Sequence, residues 1–172
     1  MPDLYPDQKR HDPYRKFNFQ VSIHDNSPYK PWPAATKIPF SEVSGLRSET
    51  EIVEYKEGDR TYKRKIMGQT SFDNVVLTRG MDSEGRMALW RQRVLELHTT
   101  REDISDLRAH LVIELYDRSS QKVVAEWVIK DCWPTVFETE DLDGNTSDVL
   151  IQRLELACEE QEQTLPLLSL RA

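Results

Sequence analysis

The sequence predicts a mainly β domain carrying one helix, and three patterns predict it. Phe17, Phe19, Val21 and Ile23 alternate with Lys16, Asn18, Gln20 and Ser22, the period-2 pattern of a half-buried strand. Ala109, Leu111, Ile113 and Leu115 repeat that alternation; after a polar turn over Asp117–Lys122, the run from Val123 to Ile129 places Ala125, Trp127 and Ile129 on one side. Two such runs joined by a short polar stretch make an antiparallel hairpin. Helical period is convincing in one segment, where Met87, Trp90, Val94 and Leu97 fall at i, i+3, i+7 and i+10.

The size supports one domain. A chain of 172 residues and 20.1 kDa exposes roughly 29,000 Å² unfolded and about 8,700 Å² folded, so about 70% of its surface can be buried without staples. The mean hydropathy of −0.66 is polar for a globule, but four Trp, six Tyr and five Phe, many of them within the alternating runs, argue against disorder. No apolar run approaches the roughly 18 residues of a membrane helix, and the first residues lack the basic and apolar regions of a secretory leader, so neither membrane insertion nor export is expected. Cys132 and Cys158 are too few for a disulfide framework and are expected as reduced, mostly buried thiols.

A net charge of −7 argues against a surface built to neutralise phosphates. Its distribution is uneven: between Glu138 and Glu162 stand nine acids and one base, Arg153, so the remainder of the chain sums to +1. That acidic segment is expected to face solvent, a basic partner or a channel.

Along the chain, residues 1–14 read as an extended N-terminal arm, with Pro2, Pro6 and Pro13 among polar residues. Domain residues 15–162 follow, then a leucine-rich C-terminal tail over 163–172 that is expected to dock on a surface. Within the domain, the first strand runs from Arg15 to His24. The stretch 25–39 holds four prolines and reads as a loop, with Tyr29 and Trp32 available to pin it. Phe40–Val43 and Thr50–Lys56 read as strands separated by a bend at Gly45, the second burying Ile52, Val53 and Tyr55 under a row of glutamates. Residues 57–71 open on a Gly-Asp turn and carry Arg60, Lys63, Arg64 and Lys65, either a solvated loop or a contact for an acidic patch on a neighbouring subunit. Phe72, Val75, Val76 and Leu77 form a strand ending at Arg79-Gly80, and Asp82 or Ser83 is placed to cap the helix that follows. Cys132-Trp133-Pro134 is expected to end the central hairpin, with a short strand over Thr135–Glu140 and a turn at Asp141–Ser147. From Val149 to Glu162 periodicity fits strand and helix alike.

Motifs for chemistry are missing. The chain has no phosphate-binding glycine loop, dinucleotide fingerprint, HExxH or GxSxG. Asp141, Asp143, Asn145 and Asp148 imitate a calcium loop, but Gly144 stands at position 4 and Gln152 at position 12, where glycine at 6 and a bidentate carboxylate are required. His11, His24, His98 and His110 have no ligand spacing. Glu49, Glu51 and Glu54 could pair for glycoside chemistry, although strand acids more often form a solvated face. Neither catalysis, a cofactor nor a metal is expected.

One ordered set of segments is specific: Phe17–Ile23 (FNFQVSI), Phe40–Gly58 (FSEVSGLRSETEIVEYKEG), Val76–Gly80 (VLTRG), Leu89-Trp90, Cys132-Trp133-Pro134 and Leu154–Glu160 (LELACEE). In order and spacing the chain resembles the tail tube family of contractile phages and phage-derived contractile injection systems. The resemblance implies two antiparallel sheets forming a sandwich or small barrel with one flanking helix, and a strand for the ambiguous last element. It also implies a structural role: copies join edge to edge as hexameric rings, and the rings stack into an inner tube that a sheath drives through a target envelope. The partners it implies are further copies, the sheath, baseplate and tube-terminating proteins, with DNA or protein cargo in the channel. Assembly in the bacterial cytoplasm, followed by residence in a phage tail or contractile particle, goes with this. Glu49, Glu51 and Glu54 then become candidates for a channel wall, and Arg60, Lys63, Arg64 and Lys65 candidates for subunit contacts. Against the simplest tube subunits, the arm before Phe17, the segment from Asn26 to Pro39 and the tail look long. A specialised ring at the baseplate or tube end is therefore the alternative, and a monomeric β-sandwich binding module the reading from another class.

Overall fold

The computed structural model describes residues 13–25, 36–56, 58, 61–100, 107–119 and 121–165. Strand follows strand in the order β1 (Phe19–Asp25), β2 (Thr36–Ile38), β3 (Glu42–Ser44), β4 (Ser48–Tyr55), β5 (Arg64–Phe72) and β6 (Val75–Gly80). Helix α1 (Arg86–Thr100) comes next, then β7 (Ala109–Tyr116), β8 (Val123–Thr139), β9 (Ile151–Ala157) and β10 (Glu160–Thr164).

β8 organises the molecule. Its 17 residues make it roughly three times the usual strand length of about 5–6. Its first half pairs with β7 on one side and β10 on the other, and its second half pairs with β9. Between the halves the chain turns at Asp131, whose φ of 54° is a left-handed conformation disfavoured for a residue with a side chain. The Asp131 N–H donates to Nδ1 of His110 at 3.1 Å, which helps to hold the turn. A register shift at Pro134/Val136 accommodates the proline, which lacks a ladder donor. Cys132-Trp133-Pro134 therefore does not end the hairpin, and Thr135–Thr139 continues the same strand into a second layer.

The resulting antiparallel order is β2-β1-β7-β8-β9-β6-β3, with β10 beside β8. One layer holds β2, β1, β7, the first half of β8 and β10; the other holds β3, β6, β9 and the second half of β8. Val21 and Ile23 of β1, Leu111 and Ile113 of β7 and Ile129 of β8 are buried in one cluster with Val75 and Leu77 of β6 and Leu154 and Leu156 of β9. Full burial of each such side chain contributes about 1.5–3 kcal/mol. The ambiguous last element is thus a strand: Leu154 and Leu156 point inward between the more exposed Arg153 and Glu155.

Helix α1 buries the stripe read from the sequence, Met87, Trp90, Val94 and Leu97. Trp90 Nε1 donates to the Leu107 carbonyl at 2.9 Å, and Arg91 donates to the Pro134 carbonyl at 2.9 Å, tying the helix to β8. The cap differs from expectation. The Gly85 carbonyl accepts the first helical bond, from Leu89 N at 3.0 Å, and Gly85 has a φ of 57°. Asp82 acts one step earlier, accepting the Gly85 N–H at 3.1 Å and pairing with Arg79.

Other differences concern edges. Residues 36–38, read as loop, pair with β1 as β2, while Tyr29 and Trp32 lie outside the described residues. The first strand begins at Phe19, leaving Phe17 exposed. The expected strand across Phe72 and Val75 divides at Asp73-Asn74 into β5 and β6. β10, paired with β8 from Glu160 to Thr164, has an acidic and amide-rich sequence without apolar alternation. Lys130 fastens it through Glu160 at 3.1 Å and Glu162 at 3.4 Å; these carboxylates, Glu160 foremost, hold the Lys130 pKa above its ordinary value. Both cysteines are free, and burial pushes the Cys132 thiol well above its ordinary range. Among the described residues no helix is long and apolar enough to cross a membrane.

The bend expected at Gly45 is present, with a φ of 83°. An added Cβ there would meet the Asn74 carbonyl oxygen at 1.9 Å. Gly45→Ala should therefore lower stability by at least about 2 kcal/mol, through backbone strain plus the clash. The check is urea unfolding, where the midpoint should fall with an unchanged slope.

Candidate assembly surface

Among the described residues, strands β4 and β5 pair with each other alone and form a two-stranded ribbon outside the sandwich. Every β4 residue is exposed, and β5 is exposed except at Gly68 and Phe72. The expectation that Ile52, Val53 and Tyr55 are buried is overturned. Residues 57–71, read as loop, contribute β5 from Arg64 onward. Periodicity fails here for a physical reason. Neither ribbon face rests on the core, so apolar and polar residues occur on both.

The register sorts the faces, because directly opposed residues point the same way. Ser48, Thr50, Ile52 and Glu54 oppose Phe72, Thr70, Met67 and Lys65 on one face; Glu49, Val53 and Tyr55 oppose Ser71, Ile66 and Arg64 on the other. Side chains agree: the Thr50 and Thr70 hydroxyls are 3.0 Å apart, and Arg64 donates to the Tyr55 hydroxyl at 3.5 Å. Between Thr50 and Ile52 the register shifts, two β5 residues, Gly68 and Gln69, standing opposite Glu51 alone. An ideal Cβ on Gly68 would approach Glu51 to 3.0 Å, so glycine allows the bulge to close. Large apolar side chains stand open on both faces, Met67 at 81% and Ile52 at 61% on one, Ile66 at 51% and Val53 at 45% on the other.

The sequence-derived candidates converge on this ribbon but do not share a face. Glu49 and Glu51 lie on one side, whereas Glu54 lies on the other, 3.1 Å from Lys63 and 3.9 Å from Lys65. Arg64 faces with Val53 and Tyr55, opposite to Lys65. Arg60 lies outside the described residues. Glu49 pairs with Arg47, so the basic and acidic side chains are partly matched within the ribbon.

A clasp that no sequence pattern announces holds the ribbon's base. The Gln161 side-chain amide, on β10, donates to the Asp73 carbonyl at 2.7 Å and the Gly45 carbonyl at 3.1 Å. Asp73 N donates to the Arg47 carbonyl at 3.0 Å, and the Arg47 guanidinium lies 3.5 Å from the Asp73 carboxylate. One side chain thus spans both legs where they leave the body.

The acidic segment is solvent-facing over Glu138–Asp148, from the end of β8 into a turn in which Leu142 is 84% exposed. Asp143 Oδ1 accepts the Asn145 N–H at 2.9 Å, the usual local bond of an Asx turn. Among the described residues no group of three or more His, Cys, Asp or Glu is placed to hold a metal ion.

The model of the T4-like virus tail tube protein gp19 family matches residues 15–162. The chain belongs to that tail tube family. A search of curated proteins finds no match. Among solved structures, a chain of the anti-feeding prophage tube-terminating cap is similar at 19% identity and a TM-score of 0.77, covering 96% of this chain and 99% of that one. A chain of the anti-feeding prophage baseplate is similar at 25% identity and a TM-score of 0.73, covering 89% and 96%. A chain of the sheath–tube complex of an extracellular contractile injection system, PVC, is similar at 20% identity and a TM-score of 0.72, covering 91% and 94%. This tail tube family member therefore has a fold found in tube, cap and baseplate structures of contractile particles.

Gln161→Ala should free the ribbon's base at a cost of about 1 kcal/mol, the scale of one side-chain hydrogen-bonding group. Hydrogen exchange at the Asp73 amide should quicken, while core amides such as Leu111 keep their protection.

Proposed function

We propose that this chain is a structural ring subunit of the inner tube of a contractile tail or injection particle. Identical copies join edge to edge into hexameric rings, and the rings stack around a channel. The ribbon β4–β5 carries this reading. A lone two-stranded ribbon is marginal in water, and one showing apolar side chains on both faces invites a partner. A neighbouring copy supplies that partner, covering the face that bears Ile52 and Met67 and pairing with open strand edges. Among the described residues, the short edge strands β2 and β3 and the outer edge of β10 have no further strand beside them.

In this arrangement the two ribbon faces have different duties. Glu49 and Glu51 face the channel, where a row of carboxylates repels DNA or acidic cargo and lets it slide. Glu54, with Lys63 and Lys65 on the opposite face, meets a neighbouring subunit. The chain carries no turnover of its own, assembles in the bacterial cytoplasm, and works with sheath, baseplate and tube-terminating proteins. A second reading, a specialised ring at the baseplate or tube end, draws support from the arm before Phe17 and the segment from Asn26 to Pro39, which add contact length.

Solution mass and negative-stain microscopy test the assembly. Wild-type protein should form hexamers or tubes, and a stable 20.1 kDa monomer at high concentration would instead support a binding module. Ile52→Asp with Met67→Asp should abolish assembly while changing monomer stability by less than about 0.5 kcal/mol, as expected for exposed sites. Reversing charge with Lys63→Glu and Lys65→Glu should weaken stacking, read as shorter tubes or a higher critical concentration; unchanged tube formation would remove these two side chains from the contact.

A further inference from the structure

The sandwich is open at the end where β1 begins and β7 finishes. A groove of about 720 Å³ lies there between the layers, with Phe19, Phe40, Val43, Leu46, Leu115 and Trp127 in its wall. Its volume is in the range of about 300–1,000 Å³ typical of clefts that enclose a ligand. Several of these residues are half-buried and pack against the main core, so among the described residues the groove is a continuation of the core surface. Phe17, at the rim, is 69% exposed.

We propose that residues 165–170 of the same polypeptide, Leu-Pro-Leu-Leu-Ser-Leu, fill this groove. Three observations support this occupant. The first is position: in the β10–β8 register Gln163 opposes Trp127 and Thr164 opposes Glu126, so the chain leaves β10 beside a residue of the groove wall. The second is facing. Gln161 and Gln163 stand opposite Ile129 and Trp127, on the core side of the sheet, and the same alternation carries Leu165 to that side, where it is still 42% exposed. The third is composition, because four leucines in six residues follow an acidic, amide-rich strand at the point where an apolar surface begins. Six extended residues span about 20 Å, ample to cross a layer spacing of about 10 Å. Burial of the leucines completes the core end and anchors β10, the strand whose Gln161 clasps the ribbon. The inference concerns a single copy and does not rest on ring assembly.

Photo-crosslinking of the full chain tests it. With Leu168 replaced by p-benzoylphenylalanine, irradiation of a mixture of light and isotopically heavy protein should give adducts on Phe19, Phe40 or Trp127, within one isotopic form. The full chain with Leu167→Ser and Leu168→Ser should in turn bind an apolar fluorescent dye several-fold more strongly. Adducts elsewhere, or none, would overturn the proposal. Adducts joining light to heavy chains would assign the groove to a neighbour's tail and overturn it too, as would groove adducts from a probe at Leu4 with none from position 168.

Discussion

The structure depends on one long strand that belongs to two layers. β8 has to satisfy backbone partners on both sides of its first half and then cross to the other layer without losing its ladder. The crossing requires a residue in left-handed conformation at Asp131, a supporting bond from that amide to His110, and a proline placed at a register shift. Every strand of the sandwich is then reached by pairing outward from β8. The helix enters the same arrangement, because Arg91 binds the Pro134 carbonyl just past the bend and Trp90 seals the core beside it.

That frame leaves the ribbon outside. Gly45 turns the chain sharply against Asn74, and from there β4 and β5 leave the body with the clasp of Gln161, Arg47 and Asp73 at their base. A ribbon anchored at one end has a defined direction and two uncovered faces. In a family of tail tube proteins, this geometry suits a subunit whose surface is completed by its neighbours, since copies repeated around a ring can cover what each one exposes. The charges fit the same logic, with Glu49 and Glu51 separated from Glu54 and its lysines by strand alternation.

Much of the sandwich was legible because burial writes a period into a strand. Val21 and Ile23, Leu111 and Ile113, and the Met87–Leu97 stripe all face the core, and their spacing says so. Where burial is absent the pattern fades. The sequence of β5 reads as a basic loop because neither of its faces touches the core, and β10 shows no apolar period because its ladder is made by backbone groups and Lys130 rather than by apolar side chains. The candidate residues Glu49, Glu51, Glu54, Arg64 and Lys65 do gather on one ribbon with Lys63 just before it, but the division of the strand residues between its faces follows from a register that spacing could not supply.

The amino-acid sequence alone determined the β character, the helix and its buried stripe, the turn at Gly45 and the resemblance to tail tubes. These are local or ordered features, set by side-chain period and by backbone conformations that few residues tolerate. Only the tertiary structure decided that β8 runs unbroken through Pro134, that β4 and β5 stand apart from the sandwich, and that Gln161 closes over their base. Each of those depends on hydrogen bonds between residues far apart along the chain, and backbone donors and acceptors are alike at nearly every position, so they leave no mark in the residue pattern.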